Sequence, residues 1–241
     1  MNWFPSAYIA LGSIILLAAL AQSITGFGFS IVAMSFLPEI VSLKTAVPLV
    51  ILVTVVGNFA MWFYYRRDYN LKAVGRLTIA SLVTTPVGTF LLARWDEGLA
   101  LKGLGLLIIS YVFYDWLSFS LPNLTSSLWA YIFGSASGIL NGAYTINGPP
   151  VIMYAHCRGW NPQEFKGNLT AFFSLSSVLA AIAHGLQGNI TADVWNLAIS
   201  TLPIYGCGLW WGIILSRNIN PVVFRRITLV LLAIAGSKLL W

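Results

Sequence analysis

Two short stretches interrupt long apolar runs of this sequence, and both carry residues suited to holding a small negative solute. Residues 25–28 read TGFG, and residues 142–150 read GAYTINGPP. Glycine adopts non-helical backbone readily, and proline suits the first turn of a new helix. In a bilayer an unwound stretch exposes N–H groups that need partners, and the amino end of the next helix carries about half a positive charge. The pattern predicts an anion site at two broken helices.

The side chains beside both interruptions are neutral hydrogen-bonding groups, which are adequate for an oxyanion held mainly by helix dipoles and backbone N–H groups. Lys44 and Lys166 each open an apolar run and are candidate gateway residues, although a lysine there more often only snorkels to the interface. Matched interruptions in two halves of a chain point to a midplane substrate site. We therefore expect the substrate to contact Gln22, Thr25, Gly26, Gly28, Asn141, Thr145, Asn147, Gly148, Pro149 and Pro150.

The sequence lacks the residue patterns that most other membrane-protein functions require. The predicted midplane holds no Asp, Glu, Arg or Lys, which argues against a carboxylate proton relay. His156 and His184 are not paired at ligand spacing, so we expect no metal and no other cofactor. Cys157 and Cys207 form no CxxC motif, and we interpret both as small packing residues. No GxxxxGK[ST] motif occurs, so a nucleotide-driven motor would need another chain.

Long apolar segments must position the two interruptions. Of the 241 residues, 58% are hydrophobic and 8% charged, and the mean hydropathy is +0.81. An ordinary soluble domain has about 25% charged residues, so a water-soluble globule and a disordered chain are excluded. The basic residues that give the net charge of +6 lie between the apolar runs. This placement favours a role in orienting the chain in a lipid bilayer over a role in nucleic-acid binding. The sequence predicts an all-α polytopic membrane protein with eight segments, at about 7–37, 43–65, 74–93, 99–117, 126–156, 164–187, 193–215 and 222–240.

An internal repeat relates the two halves. The interruptions lie about 120 residues apart, and Lys44 and Lys166 open the following segments at nearly the same offset. Segments one and five are each about 31 residues long, roughly 46 Å as a straight helix, which exceeds the bilayer core of about 30 Å. We predict one membrane domain of two four-segment repeats, 1–120 and 121–241, related by a pseudo-two-fold axis across which the interruptions face each other. The distribution of basic residues leaves open whether the repeats are parallel or inverted.

Some of the same residues have a purely structural interpretation. Gly134, Gly138 and Gly142 recur at four-residue spacing, which is typical of close helix packing. Asn58 and Asn168 lie within segments, where bonding across helices is the more common role. The glycines of the two interruptions are also compatible with simple kinks.

In order and spacing, these features resemble the sulfite exporter TauE/SafE family. In that family each half opens with a glycine-rich break, the first like G-[FIL]-G-G and the second ending in G-P-P. Residues 25–29 and 146–150 match those places, although Phe29 and Asn147 stand where the family often has glycine. Phe165 and Lys166 match an aromatic-basic pair that opens the next span. The resemblance implies transport of sulfite, sulfonates or other small organic anions across the cytoplasmic membrane, commonly as export.

Taken together, the residues and the resemblance predict a secondary transporter of small anions and not an enzyme. An anion channel, an intramembrane thiol enzyme and a purely structural subunit are the alternatives. The expected partners are a small anionic substrate and the lipid bilayer, with no nucleic acid, and a homodimer is compatible with the sequence. The identity of the anion, the direction of transport and the coupling ion are open at this point.

Overall fold

The computed structural model describes residues 5–65, 70–117, 124, 126–215 and 221–241. Within these ranges the chain is all-helical, without a β-strand, and Leu37–Glu39 forms a 3₁₀ turn. The described helices are α1 Pro5–Thr25, α2 Phe29–Phe36, α3 Leu43–Tyr65, α4 Leu71–Arg94, α5 Glu97–Leu117, α6 Leu128–Tyr144, α7 Gly148–Cys157, α8 Pro162–Leu186, α9 Ala192–Leu215 and α10 Pro221–Leu240. The predicted all-α class is confirmed.

Six of the described helices, α1, α3, α4, α5, α8 and α9, are long and apolar enough to cross a membrane. Each carries few charged residues over about 18 positions, close to the length that a bilayer core requires. Many large apolar side chains on these helices, such as Phe63 and Phe113, are exposed on the protein surface. In a membrane protein that surface faces lipid, so the expected multi-pass organisation is confirmed.

The helices form two compact units, each of which takes helices from both predicted repeats. The first unit contains α1, α2, the start of α3, α5, α9 and α10, and the second contains the rest of α3 with α4, α6, α7 and α8. In the first unit α1 packs along α9, and in the second α6 packs along α4. The boundary predicted between the repeats, at residues 120 and 121, lies outside the described residues.

Glycines allow the close contact between α4 and α6 in the second unit. A Cβ atom built on Gly134 would lie 2.9 Å from Ala80 Cβ, and one on Gly138 would lie 2.7 Å from Ser81 Cα. On the opposing helix, a Cβ on Gly88 would lie 2.9 Å from the amide nitrogen of Ala143. The predicted packing role of the glycine stripe is confirmed.

Glycines also set the packing of the first unit. A Cβ on Gly208 of α9 would lie 2.6 Å from Ala19 Cβ of α1, and one on Gly212 would lie 2.8 Å from Ser23 Oγ. Ser23 Oγ also donates a hydrogen bond to Leu209 O on α9, at 3.0 Å. Small residues let apolar helices approach closely where no hydrophobic driving force holds them together in lipid.

The two asparagines assigned structural roles do bond between segments. Asn58 Nδ2 of α3 donates to Phe173 O of α8 at 3.2 Å, and Ser174 Oγ donates back to Asn58 O at 2.8 Å. Asn168 Oδ1 of α8 accepts from the amide of Asn70, just before α4, at 2.7 Å. These bonds fix α8 against its neighbours in the second unit, which matters because α8 also holds the second interruption.

Candidate functional site

The first junction, residues 26–28, separates α1 from α2. Gly26 and Gly28 have φ angles of +84° and +103°, a region that non-glycine residues enter only at a cost. A Cβ on Gly26 would meet no atom within 4 Å, so backbone conformation rather than space requires glycine there. The Gly26 amide still bonds to Gln22 O at 2.7 Å, which completes the last turn of α1.

Two predicted ligands at the end of α1 are already bonded within the protein. Thr25 Oγ1 lies 2.7 Å from Ala21 O and also contacts Phe27 O. Gln22 is buried, and its Oε1 accepts a hydrogen bond from the Tyr205 hydroxyl at 2.7 Å. Tyr205 belongs to α9, so these contacts connect the first junction to a helix that is distant in sequence.

Tyr205 contacts residues on both sides of the first junction. Its ring packs edge-to-face on Phe29, the first residue of α2, with 4.9 Å between ring centroids. Its hydroxyl holds Gln22 on the other side of the junction. One buried tyrosine therefore fixes the ends of both α1 and α2.

The second junction, residues 145–147, separates α6 from α7 and uses one left-handed residue. Thr145 has φ +59° and ψ +11°, and its amide bonds to Asn141 O at 2.9 Å. A β-branched residue in this region is strained by about 1–3 kcal/mol and needs support from its surroundings. Gly148 opens α7, and Pro149 and Pro150 occupy the first turn, where a missing N–H matters least.

Two serines supply much of that support. Ser176 of α8 is fully buried; its carbonyl accepts from Asn141 Nδ2, and its Oγ accepts from Asn147 Nδ2, both at 2.9 Å. Ser137 Oγ of α6 donates to Asn147 O at 2.8 Å. The second junction is thus fastened to α8 and α6 by side-chain hydrogen bonds.

Backbone N–H groups remain available at both junctions. In the part of the chain that the structure describes, the amides of Phe29, Ser30 and Ile31 at the start of α2 form no hydrogen bond. The same holds for the amides of Asn147 and Gly148 at the start of α7, within those described ranges. Free first-turn amides at the positive end of a helix dipole are the standard means of binding an anion.

An apolar groove lies beside the first junction, within the first unit. It is lined by Leu17 and Ala21 of α1, Val32 and Phe36 of α2, and residues of α10. Ala21 lies one turn before Thr25, and Val32 lies one turn after Gly28. The groove therefore begins within one helical turn of the free amides of α2.

The remaining candidates lie away from the junctions. Lys44 and Lys166 are exposed in the first turns of α3 and α8. No cluster of three metal-binding side chains occurs among the described residues. Cys157 is buried, as a packing residue should be, but Cys207 is exposed on α9, so the packing interpretation of Cys207 was wrong. No pattern in the sequence indicated how α9 is rotated about its own axis.

Comparison with known proteins now identifies the family. The family model for the sulfite exporter TauE/SafE matches residues 11–239. The chain belongs to the sulfite exporter TauE/SafE family. It is 24% identical over 227 residues to the "Probable sulfite/organosulfonate exporter TauE" of Cupriavidus necator, covering 91% of this chain and 88% of that protein. No solved structure matches.

For this TauE/SafE protein, sequence reasoning found the ligand candidates but missed residues that hold them. Within the first unit, Gln22, Thr25, Gly26 and Gly28 come together at the first junction. Tyr205, Ser137 and Ser176 were not predicted. The run of polar residues in an otherwise apolar α8 could have drawn attention to Ser176. Within the second unit, the structure gathers Asn141, Thr145, Asn147, Gly148, Pro149 and Pro150 at the second junction.

Proposed function

We propose that this member of the sulfite exporter TauE/SafE family is a secondary carrier of small sulfur oxyanions, sulfite or organosulfonates. The proposed anion-binding groups are the backbone N–H groups of the first junction in the first unit and, separately, those of the second junction in the second unit. The observation that carries this proposal is the start of two helices, α2 and α7, with free amides immediately after a helix end. Both starts lie within apolar stretches, where an unpaired amide needs a partner.

The predicted side chains divide into those that bind and those that shape the site. Asn147 Nδ2 uses one of its two hydrogens on Ser176, so the other is available to an oxyanion. Asn141 and Thr145 position the backbone, because their hydrogen bonds run to Ser176 and to Tyr144. Gly26 and Gly28 give the backbone its left-handed turns and leave the site open. Pro149 and Pro150 preset the first turn of α7.

A two-repeat architecture of eight segments, with segments one and five interrupted, remains part of the proposal. It is supported by reciprocal packing: the first helix of each repeat, α1 or α6, packs along the fourth helix of the other repeat, α9 or α4. Transport by alternating exposure of the substrate then follows from rocking one part of such a repeat protein against the other. Lys44 and Lys166 attract the anion at the ends of the pathway, and a homodimer remains a prediction.

The apolar groove beside the first junction suits the carbon part of an organosulfonate. A sulfonate held by the free amides of α2 would direct its substituent along Ala21 and Val32, which lie one turn away. Sulfite has no such substituent. Ala21→Trp should therefore weaken binding of benzenesulfonate and leave sulfite binding within about twofold, measured by calorimetry; equal losses for both anions would contradict this use of the groove.

The first experiment is a thermal-shift panel on purified protein with sulfite, sulfate, thiosulfate, benzenesulfonate and acetate. Stabilisation grows with the logarithm of ligand concentration over Kd, so substrates should separate from non-ligands. Sulfite or benzenesulfonate should raise the Tm, and acetate should not. If no anion raises the Tm, the binding proposal is wrong.

Transport in proteoliposomes separates a carrier from an anion channel. A carrier exchanges substrate, so unlabelled sulfite on the far side should accelerate uptake of labelled sulfite. Uptake that ignores the far-side anion would favour the channel alternative. Uptake that persists after Cys157→Ser and Cys207→Ser together would exclude a thiol mechanism.

A further inference from the structure

The carbonyl of Gly142 loses its helical partner at the second junction. In a continuous helix the amide of residue 146 would bond to it, but α6 ends at Tyr144 because Thr145 turns left-handed. Gly142 is buried against α4, where an added Cβ would lie 2.7 Å from the amide nitrogen of Thr89. A buried carbonyl in this position needs another donor.

His184 of α8 supplies that donor. Its side chain is fully buried, and its Nε2 lies 2.9 Å from Gly142 O. A carbonyl can only accept, so Nε2 must carry the hydrogen. The imidazole thus replaces the amide that the interruption of the helix has removed.

The other ring nitrogen fixes the tautomer. His184 Nδ1 lies 3.0 Å from Asn189 Nδ2, and an amide nitrogen only donates, so Nδ1 accepts and the ring is neutral. Asn189 is held by the end of α8, where Gly188 has φ +72° and the Asn189 amide bonds to His184 O at 2.9 Å. This glycine-based helix end is a common way to terminate an α-helix. The orientation of the ring is therefore set before any substrate arrives.

We infer that His184 is a positioning residue for the second junction: its neutral imidazole caps the Gly142 carbonyl and so orients the amides of Asn147 and Gly148 toward the anion. The inference rests on the proposed function for its effect on affinity. Its effect on the junction itself is independent of any substrate. The role requires a donor at the Nε2 position and does not require a titratable group.

The test compares His184→Leu, which removes the donor, with His184→Gln, whose amide nitrogen can reach the same carbonyl. His156→Leu is the matched control, because His156 is exposed, stacks on Phe165 and lies outside the second junction. Calorimetry with sodium sulfite and with benzenesulfonate gives Kd for the full-length protein in detergent. His184→Leu should raise Kd about tenfold, and His184→Gln and His156→Leu should stay within about twofold of wild type.

Amide hydrogen exchange without anion provides the second measurement. His184→Leu should speed exchange at residues 146–148, and His184→Gln should leave it at the wild-type rate. A purely structural role would lower the Tm of His184→Leu without changing Kd or local exchange at a permissive temperature. Unchanged exchange in His184→Leu, or failure of His184→Gln to restore it, would overturn the inference. A wild-type protein that binds neither anion would refute the proposed function instead, and exchange would still decide the role of His184.

Discussion

At the first junction the backbone bends at two glycines with positive φ, whereas the second junction is built from one left-handed threonine followed by two prolines. Around the first junction Tyr205 contacts residues on both sides. At the second junction Ser137 and Ser176 bond to Asn147, and His184 bonds to Gly142 just before the junction. Glycine enters the left-handed region without a steric penalty, but threonine must be held there. The same interruption can thus be built from an intrinsically permissive backbone or from a strained backbone under side-chain restraint.

This difference predicts which junction changes conformation during transport. A backbone that needs no restraint can change conformation at low cost. The second junction would lose several buried hydrogen bonds together. We therefore expect the second junction to stay fixed and the first to adjust.

The largest effect should come from Gly142→Ala, just before the second junction. The added methyl would collide with Thr85 O and lie 2.7 Å from Thr89 N, both backbone atoms that cannot rotate away. We expect a loss of about 3 kcal/mol or more of stability, seen as a large fall in Tm or as loss of folded protein. Gly206→Ala on α9 is the control, because a Cβ there meets no atom within 4 Å and no positive φ opposes it. An equal Tm for Gly142→Ala and Gly206→Ala would refute the close packing of Gly142 against α4.

Ser176→Ala should have the next largest effect. The change removes the buried acceptor of Asn147 Nδ2, which costs about 1–3 kcal/mol when the amide is left unpaired. Anion affinity should fall as well, because Asn147 is released. Ser177→Ala is the matched control, since Ser177 Oγ donates to Ser174 O within its own helix. A Tm shift no greater than that of the control would show that Ser176 does not fasten the junction.

Gly26→Ala should destabilise by about 1–2 kcal/mol, through backbone conformation alone. No atom lies within 4 Å of the new methyl group, so packing contributes nothing. The same Gly206→Ala variant separates the two causes, because it adds a methyl in open space without a positive φ. If Gly26→Ala is as stable as Gly206→Ala, the first junction is not held in the left-handed conformation.

The smallest effect should come from Tyr205→Phe, at about 1 kcal/mol. The variant keeps the ring against Phe29 and removes only the hydroxyl bond to Gln22. Hydrogen exchange near residues 26–28 should rise modestly while exchange at residues 145–147 stays constant. An equal rise at both places would contradict the separate restraint of the two junctions.

The sequence predicted those features that depend on composition along one helix. Segments 43–65 and 193–215 coincide with α3 and α9 within a residue, because charged residues mark where apolar runs stop. The packing role of Gly138 was also predictable, since small residues at four-residue spacing have few other uses in lipid. The bonds of Asn58 and Asn168 between segments were also predictable, because a side-chain amide within an apolar segment has few other hydrogen-bonding partners.

The partners of the junctions could not be predicted in the same way. Tyr205 and His184 lie 183 and 42 residues from the groups that they bind. Pairing at such a distance depends on how each helix is rotated about its axis. In lipid, hydropathy hardly distinguishes the buried face of a helix from the outward face. The exposed Cys207 shows the same difficulty.

The most direct test of anion binding at the junctions is the Kd of Asn147→Asp for sulfite. Aspartate is nearly isosteric with asparagine but cannot donate to Ser176 Oγ. That hydroxyl can rotate away from Phe172 O and donate to the new carboxylate instead, so the variant should stay folded with a modestly lower Tm. Its fixed negative charge would repel an oxyanion beside the amides of α7. Gln163→Glu places the same charge in the exposed first turn of α8 and is the control.

We expect Asn147→Asp to fold yet show no calorimetric binding of sulfite, while Gln163→Glu binds like wild type. Wild-type sulfite affinity in a folded Asn147→Asp protein would contradict the claim that the second junction holds the anion.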